Sequence, residues 1–173
     1  LCYQVPNLDE VDFYNQKNLK LHLTGNSYIG FKEALGFKES RGDYAIVNIY
    51  GYLGKYQFGK NTLKLIGIND SDEFLNNSYL QEQAFTANTA RNKWILRRDI
   101  KKFQGIRVGG VKITESGILA AAHLAGAGNV KKYLRSGGSV NFSDAFGTSI
   151  EYYLKKFSGY DTSFVIANRK AKA

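Results

Sequence analysis

Hydrophobic and polar positions recur along most of this chain with the period of an amphipathic helix. Phe31 and Leu35 lie one turn apart and predict a helix from Ser27 to Glu39. Residues 82–103 predict a longer helix, with small apolar residues and Trp94 on one face and basic residues on the other. Both segments are thus predicted to be amphipathic helices.

Two more helices are predicted in the last third of the chain. Thr114 is a residue type that caps helices, and it precedes an alanine-rich helical body at Ile118–Ala125. Residues 144–157 carry apolar side chains at the spacing of a buried stripe, namely Ile150, Tyr153, Leu154 and Phe157. Strand signals are sparse, and the best are the short segments Ala45–Tyr50 and Val108–Ile113. The pattern predicts one mainly α domain with minor β structure and glycine-rich turns.

Length and composition agree with a single globular domain. The chain has 173 residues, of which 43% are hydrophobic, and this length can bury a real core. No apolar run approaches the ~20 residues of a membrane-spanning helix. One cysteine, Cys2, and two histidines, His22 and His123, supply neither an internal disulfide nor a metal-ligand set. We expect no metal, no cofactor and no membrane span, and Leu1–Gln4 shows no signal-peptide pattern.

The net charge of +9 is unevenly distributed. Residues 1–51 carry six acids and five bases, so the basic excess lies further on, notably between Arg91 and Arg107. A basic surface concentrates polyanions such as nucleic acid, acidic lipid or acidic cell-wall polymers. A solvated helix face explains that segment equally well. A nucleic-acid binder is a possible function, but no nucleic-acid-reading motif supports it.

Glu39 is the candidate catalytic residue. It follows Phe31 and Leu35 at spacings of four, so its carboxylate lies on or beside the apolar stripe. Burial disfavours the charged form of a carboxyl group, and a neutral carboxyl can protonate a glycosidic oxygen as a general acid. A glutamate that caps the helix end, or pairs with Lys38 or Arg41 in solvent, would have the same spacing. The spacing alone does not decide between these interpretations.

Three short motifs occur in an informative order. Glu39-Ser40-Arg41-Gly42 follows the first helix, Gly54-Lys55-Tyr56-Gln57 lies in a segment that alternates glycine with aromatic residues, and Ala122-His123-Leu124-Ala125-Gly126 comes much later. Together they resemble the lytic transglycosylases and goose-type lysozyme-like enzymes. That family has a helix ending in Glu-Ser-Gly, a Gly-Leu-Met-Gln turn and an Ala-Tyr-Asn-Ala-Gly helix end. The likeness spans about residues 27–160 and is greatest to variants on phage tails and contractile injection devices.

The resemblance implies a mainly α, lysozyme-like fold (α+β with minor β), a single helical domain with a glycan cleft. Residues 27–160 would form the catalytic domain, 1–26 a partly helical or extended N-terminal segment, and 161–173 a C-terminal tail. The implied reaction cleaves the β-1,4 bond between N-acetylmuramic acid and N-acetylglucosamine in peptidoglycan. Glu39 would be the general acid and base, by transglycosylase or muramidase chemistry.

The implied substrate-binding residues surround this acid. Ser40 and Gln57 would hold N-acetyl or carbonyl groups, Tyr52 and Tyr56 would lie along the sugar faces, and Asn48 and His123 complete the set. If water is the nucleophile, the candidates for a second carboxylate are Asp43, Glu115 and Asp144.

The chain departs from the family pattern at His123 and Leu124, where the family has tyrosine and asparagine. A histidine can make the same hydrogen bond as that tyrosine, but it can also be an ordinary helix residue satisfied elsewhere. The alternative function is therefore a catalytically impaired peptidoglycan- or chitin-binding module of the same fold.

The resemblance also implies partners and a place of action. The expected partner is the peptidoglycan glycan strand, with a phage-tail or secretion-machine component or an immunity protein as candidate protein partners, and no nucleic acid. The expected site of action is periplasmic or extracellular, reached through a tail or secretion device.

Overall fold

The computed structural model describes residues 25–144 and 146–173. Predictions about residues 1–24, including most of the N-terminal segment, Cys2 and His22, lie outside the described residues. Within the described ranges the chain is mainly helical, with one small antiparallel sheet. The elements are α1 (Tyr28–Ser40), α2 (Lys60–Leu65), α3 (Ser71–Asn76), α4 (Ser78–Phe103), β1 (Arg107–Val108), β2 (Val111–Lys112), α5 (Glu115–Arg135) and α6 (Ile150–Lys156).

Capping side chains begin the helices that the sequence predicted. The Ser27 hydroxyl accepts a hydrogen bond from the Gly30 amide at 3.1 Å and starts α1. The Thr114 hydroxyl accepts one from the Gly117 amide at 3.2 Å and starts α5. In each case the side chain satisfies an amide that has no partner within the helix. These two predictions are confirmed, and α4 begins one turn before its predicted start.

Two predicted strands and the predicted start of one helix differ from the structure. Val108–Ile113 is not one strand but most of a hairpin, because the chain turns at Gly109 and Gly110 and pairs Val108 with Val111. Ala45–Tyr50 forms a loop with a single isolated bridge, since the Asn48 side chain accepts hydrogen bonds from two amides of its own turn.

The last helix begins at Ile150 rather than Asp144. The Asp144 carboxylate accepts hydrogen bonds from the Phe146 and Thr148 amides, at 2.9 and 2.7 Å. It therefore stabilises a turn that precedes the helix, and Ser149 becomes the N-cap.

The core lies where α5 packs against both α4 and α6. The predicted stripe on α6 is confirmed, because its apolar residues are all buried. The segment 161–173 is not a loose tail. Val165 and Ala171 are buried, and the Asn168 amide donates to the carbonyl oxygen of Ala90 in α4 at 3.1 Å. No helix in the described parts of the chain is long and apolar enough to cross a membrane.

Candidate active site

A cavity of about 450 Å³ lies beside the carboxyl end of α1. Its walls come from α1, the loop before the Gly54–Gln57 turn, the middle of α5, and the loop and first turns around α6. The lining residues are Lys38, Glu39, Ile46, Asn48, Tyr50, Tyr52, Gln57, His123, Leu124, Asp144, Phe146 and Tyr153. The three motifs, which are far apart in the sequence, therefore each contribute residues to one cavity.

Glu39 is held in this cavity by the helix that carries it. Phe31 and Leu35, one and two turns earlier, are 1% and 0% exposed and anchor α1 in the core. Glu39 follows on the same side and is half-buried. The Tyr153 hydroxyl donates a hydrogen bond to its Oε1 atom. The Oε2 atom makes no hydrogen bond with the described residues, so one carboxylate oxygen remains available to a ligand.

Tyr153 is a buried tyrosine whose hydroxyl faces a carboxylate. Burial raises its pKa, and the negative charge of Glu39 raises it further. The phenol consequently stays protonated and acts as a hydrogen-bond donor to Glu39. The sequence placed Tyr153 only in the buried stripe of α6. A buried tyrosine usually has a hydrogen-bond partner for its hydroxyl. That rule predicts a polar partner near Tyr153, but it does not identify Glu39.

The Gly54–Gln57 turn is fixed by the buried side chain of Gln81. Its Oε1 atom accepts from the Lys55 amide at 2.9 Å. A Cβ atom on Gly54 would lie only 2.1 Å from the same oxygen, so this close approach requires glycine. The Gln57 side chain in turn donates to the Gly54 carbonyl at 2.9 Å. The turn thus forms a well-fixed wall of the cavity, and Gln57 lines that cavity. Its contact with substrate groups stays a prediction.

Ser40 has a structural role instead of the predicted substrate contact. It is 9% exposed, and its hydroxyl donates to the carbonyl oxygen of Lys55 at 2.8 Å. This bond ties the end of α1 to the Gly54–Gln57 turn. It fixes Glu39 relative to Gln57 without Ser40 itself lining the cavity.

Tyr56 also lies outside the cavity. It is 0% exposed, its ring stacks on Phe85 with centroids 4.2 Å apart, and its hydroxyl donates to both oxygens of Glu82 at 2.8 and 2.9 Å. The prediction that Tyr56 lies along a sugar face is wrong for this structure, because the ring is buried against Phe85 and the hydroxyl is bonded to Glu82. Glu82 is 26 residues away in the sequence, so the local pattern around Tyr56 does not reveal this contact.

Tyr52 and Asn48 line the cavity, and their contact with a substrate stays a prediction. Tyr52 is 46% exposed, which leaves part of its ring for a ligand. The Asn48 side-chain oxygen accepts from the Tyr50 and Tyr52 amides at 2.8 and 3.1 Å. Asn48 therefore also shapes the loop that presents the tyrosines.

Two further aromatic residues of the cavity were not anticipated. Tyr50 and Phe146 are 54% and 64% exposed, and their rings meet edge to face with centroids 5.2 Å apart. They come from loops on different walls. The sequence predicted a strand at Tyr50 and a helix at Phe146, so it did not predict that these two rings are in contact.

His123 lines the cavity but does not take the place of the family's tyrosine beside the acid. Its Nε2 atom donates to the carbonyl oxygen of Tyr56 at 2.7 Å, and its Nδ1 atom lies 3.4 Å from the side-chain amide nitrogen of Asn88. The ring also packs edge to face on Phe58. In this structure Tyr153 makes the hydrogen bond to Glu39 that was considered for His123.

The motif that contains His123 ends at Gly126, at a break in α5. Gly126 interrupts α5 with φ 77° and ψ 150°, a backbone conformation that favours glycine. The helix continues beyond this break to Arg135.

The structure places the three candidate second carboxylates in three different surroundings. Asp144 lines the same cavity as Glu39. Asp43 is exposed and accepts a hydrogen bond from the Ala45 amide. Glu115 faces a different pocket, where it pairs with Lys93 at 2.7 Å and accepts from Thr162 at 2.6 Å. Of the three, Asp144 is the one that lines the same cavity as Glu39.

A second carboxylate cluster lies behind the Gly54–Gln57 turn. Lys55, with 3% of its side chain exposed, contacts Glu82 at 2.9 Å and Glu33 at 2.7 Å. Lys32 contacts the other Glu82 oxygen at 2.6 Å. Burial by itself would raise the pKa of Glu82, but hydrogen bonds from Lys32, Lys55, Tyr44 and Tyr56 outweigh it and lower that pKa to about 2. These partners occupy both Glu82 oxygens.

No cluster of His, Cys, Asp and Glu that could hold a metal occurs among the residues of the described ranges. No family model, curated protein or solved structure matches this chain.

Proposed function

We propose that this chain is a peptidoglycan-degrading glycosidase with a lysozyme-like fold, and that Glu39 is its general acid. One observation carries the proposal: three motifs separated by up to about 80 residues contribute to one cavity around a half-buried glutamate with a free oxygen. Exposed aromatic rings in the same cavity offer surfaces for the apolar faces of sugar rings. The substrate is the glycan strand of peptidoglycan.

In the proposed reaction, Glu39 protonates the glycosidic oxygen between N-acetylmuramic acid and N-acetylglucosamine as that bond breaks. Its Oε2 atom delivers the proton, since Oε1 accepts the hydrogen bond from Tyr153. Gln57 and Tyr52 contact the sugars, and Tyr153 keeps the carboxyl group in place. After protonating the leaving group, Glu39 is the base for the second step.

Two outcomes of the second step are chemically distinct. In the transglycosylase route, Glu39 takes the proton of the muramoyl 6-hydroxyl, whose oxygen attacks the anomeric carbon and closes a 1,6-anhydro ring. In the muramidase route, a carboxylate (Glu39, or Asp144 in an inverting enzyme) takes a proton from water, the water oxygen attacks that carbon, and the product is a reducing sugar. An inverting hydrolase needs a second carboxylate about 6.5–9.5 Å from the acid, and Asp144 is the candidate in this cavity.

The test compares wild type, Glu39→Gln and Asp144→Asn on purified peptidoglycan. Loss of turbidity reports cleavage, sedimentation with the insoluble polymer reports binding, and mass spectrometry identifies the products. We expect Glu39→Gln to bind without cleaving. Anhydro products from both wild type and Asp144→Asn support the transglycosylase route, whereas reducing products that Asp144→Asn no longer forms support the muramidase route. A wild-type chain that binds but releases no fragments would be the binding module of the same fold.

The resemblance to phage-tail and injection-device variants adds a proposed setting. The enzyme would act in the periplasm or outside the cell after delivery by such a device, with a device component or an immunity protein as its protein partner.

A further inference from the structure

The outward face of α4 carries a continuous series of cations. Arg91, Trp94, Arg98 and Lys101 recur at spacings of three or four, which places them on one side of the helix. Arg97 and Lys102 flank this line. We call the five cations Arg91, Arg97, Arg98, Lys101 and Lys102 the basic face; it extends about 16 Å along the helix.

The basic face has no anionic partners among the described residues. None of its five cations takes part in an ion pair there. Between Glu82 and Glu115 the sequence has a single acid, Asp99, which is 4% exposed and pairs with Arg135. The described part of the chain therefore does not compensate the positive charge of this face.

Trp94 organises part of this face. The guanidinium of Arg97 lies 4.0 Å from the centroid of the indole ring, and that of Arg169 lies 5.3 Å away. Arg97 also donates to the Trp94 carbonyl oxygen at 2.7 Å, and Arg91 donates to the Arg169 carbonyl oxygen at 2.5 Å. Stacked guanidinium groups lose less freedom when they bind a carboxylate, and their remaining N–H groups stay available.

The cavity carries little net charge, at most one negative charge when both of its carboxyl groups are ionised. Its lining includes two carboxylates, Glu39 and Asp144, and a single cationic side chain, Lys38. An anionic polymer would receive little electrostatic attraction from such a cavity. The basic face is a second surface, outside the cavity, with the positive charge that such a polymer would be attracted to.

We infer that the basic face binds the carboxylates of peptidoglycan stem peptides and thereby holds the domain on its insoluble substrate. The inference rests on the proposed function and adds a second binding surface outside the cavity. Single-stranded nucleic acid fits this surface less well, because base stacking needs an open aromatic ring and the Trp94 ring is flanked by arginines of the chain itself.

The test uses a non-cleaving Glu39→Gln background, so that binding is measured without digestion. The variant Arg98→Gln/Lys101→Gln is compared with Lys60→Gln/Lys64→Gln on α2, whose side chains are also exposed and outside any ion pair of the described residues. Both changes remove two positive charges. The probes are purified peptidoglycan, the same polymer after amidase removal of the stems, and single-stranded DNA, each at several salt concentrations.

We expect Arg98→Gln/Lys101→Gln to weaken sedimentation with intact peptidoglycan about tenfold, and Lys60→Gln/Lys64→Gln to leave it within about twofold. The difference should disappear at high salt and on stem-free glycan. Equal losses for the two double variants, or a loss that persists on stem-free glycan, would overturn the inference. So would a loss of DNA binding while peptidoglycan binding is unchanged.

In the active background, Arg98→Gln/Lys101→Gln should cleave a soluble glycan oligosaccharide at the wild-type rate. This readout separates the two proposals. If the wild-type chain does not cleave the oligosaccharide, the proposed function fails, yet the binding experiment in the Glu39→Gln background still reports on the basic face.

Discussion

The molecule contains two glutamates that receive hydrogen bonds from buried tyrosines, and they differ in what else surrounds them. Glu82 contacts two lysines and two tyrosines, which occupy both of its oxygens. Among the described residues, Glu39 accepts a hydrogen bond from Tyr153 alone, and it faces a cavity. A fully compensated carboxylate stabilises the fold, whereas one with a free oxygen beside open space can exchange a proton with a ligand.

The comparison is tested most strongly at Glu39. Glu39→Gln should reduce cleavage of peptidoglycan by on the order of 10³-fold, because an amide cannot act as a general acid. The free energy of unfolding should change by less than about 0.5 kcal/mol, since the half-buried glutamine can still accept from Tyr153. Initial rates of turbidity loss and urea unfolding curves measure the two quantities. A large loss of stability would assign Glu39 to the same structural class as Glu82.

The reverse result is expected at Glu82. Glu82→Gln should lower the free energy of unfolding by about 3 kcal/mol, because it removes the carboxylate that Lys32 and the buried Lys55 share and leaves Lys55 with Glu33 as its acidic partner. The melting temperature should fall by roughly 10 °C. The matched control is Glu151→Gln, which removes an exposed ion pair with Lys155 and should cost less than about 0.5 kcal/mol. If Glu82→Gln and Glu151→Gln lowered the free energy of unfolding equally, the buried network would add no more stability than an exposed ion pair.

The same residue gives a pH dependence of stability. The folded-state pKa of Glu82 is about 2, lowered from 4.5, so its stabilising contribution is complete above about pH 4.5 and is lost as the pH falls towards 2. We expect a loss of about 2–3 kcal/mol over that interval. Unfolding of wild type and Glu82→Gln at several pH values should show a steeper acid decline in wild type. Parallel curves would contradict the assignment.

Tyr153 should affect activity less than Glu39. Tyr153→Phe removes the hydrogen bond to the Glu39 carboxylate and should lower kcat roughly tenfold, with little change in KM. The control is Tyr133→Phe, because the buried Tyr133 hydroxyl has no hydrogen-bond partner among the described residues. Steady-state kinetics on a soluble glycan oligosaccharide measure both variants. If Tyr153→Phe and Tyr133→Phe had the same kcat, Tyr153 would have no positioning role.

The smallest effect is expected at His123. Its hydrogen bond to the Tyr56 carbonyl oxygen supports the Gly54–Gln57 turn, so His123→Ala should cost about 1 kcal/mol of stability. Turnover should fall less than in Tyr153→Phe. A drop in kcat as large as that of Glu39→Gln, without loss of stability, would give His123 a direct catalytic role.

The sequence predicted those parts of the fold that depend on local signals. The sequence predicted a helix from Ser27 and a helix cap at Thr114, and the structure confirms both, with Ser27 itself as the first helix's cap. The boundaries failed where a side chain hydrogen-bonds to its own loop, as Asn48 and Asp144 do. Such local bonds compete with regular secondary structure, and periodicity does not reveal them.

The candidate site was predictable only where its residues lie in motifs. Glu39, Gln57 and His123 were brought together because each belongs to a short recognisable segment. Tyr56 was misplaced, since the burial of an aromatic residue depends on distant partners such as Phe85 and Glu82. The hydrogen bond from Tyr153 to Glu39 joins residues 114 positions apart, and helical spacing shows only that Tyr153 is buried.

The most direct test of the account is mass spectrometry of the soluble fragments released from purified peptidoglycan by wild type and by Glu39→Gln. The account predicts muropeptides cleaved between N-acetylmuramic acid and N-acetylglucosamine in the wild-type digest. They should carry either an anhydro end or a reducing end, which differ in mass by one water, and the Glu39→Gln digest should contain essentially none. Equal release by both proteins, or none from folded wild type, would contradict the central role of Glu39.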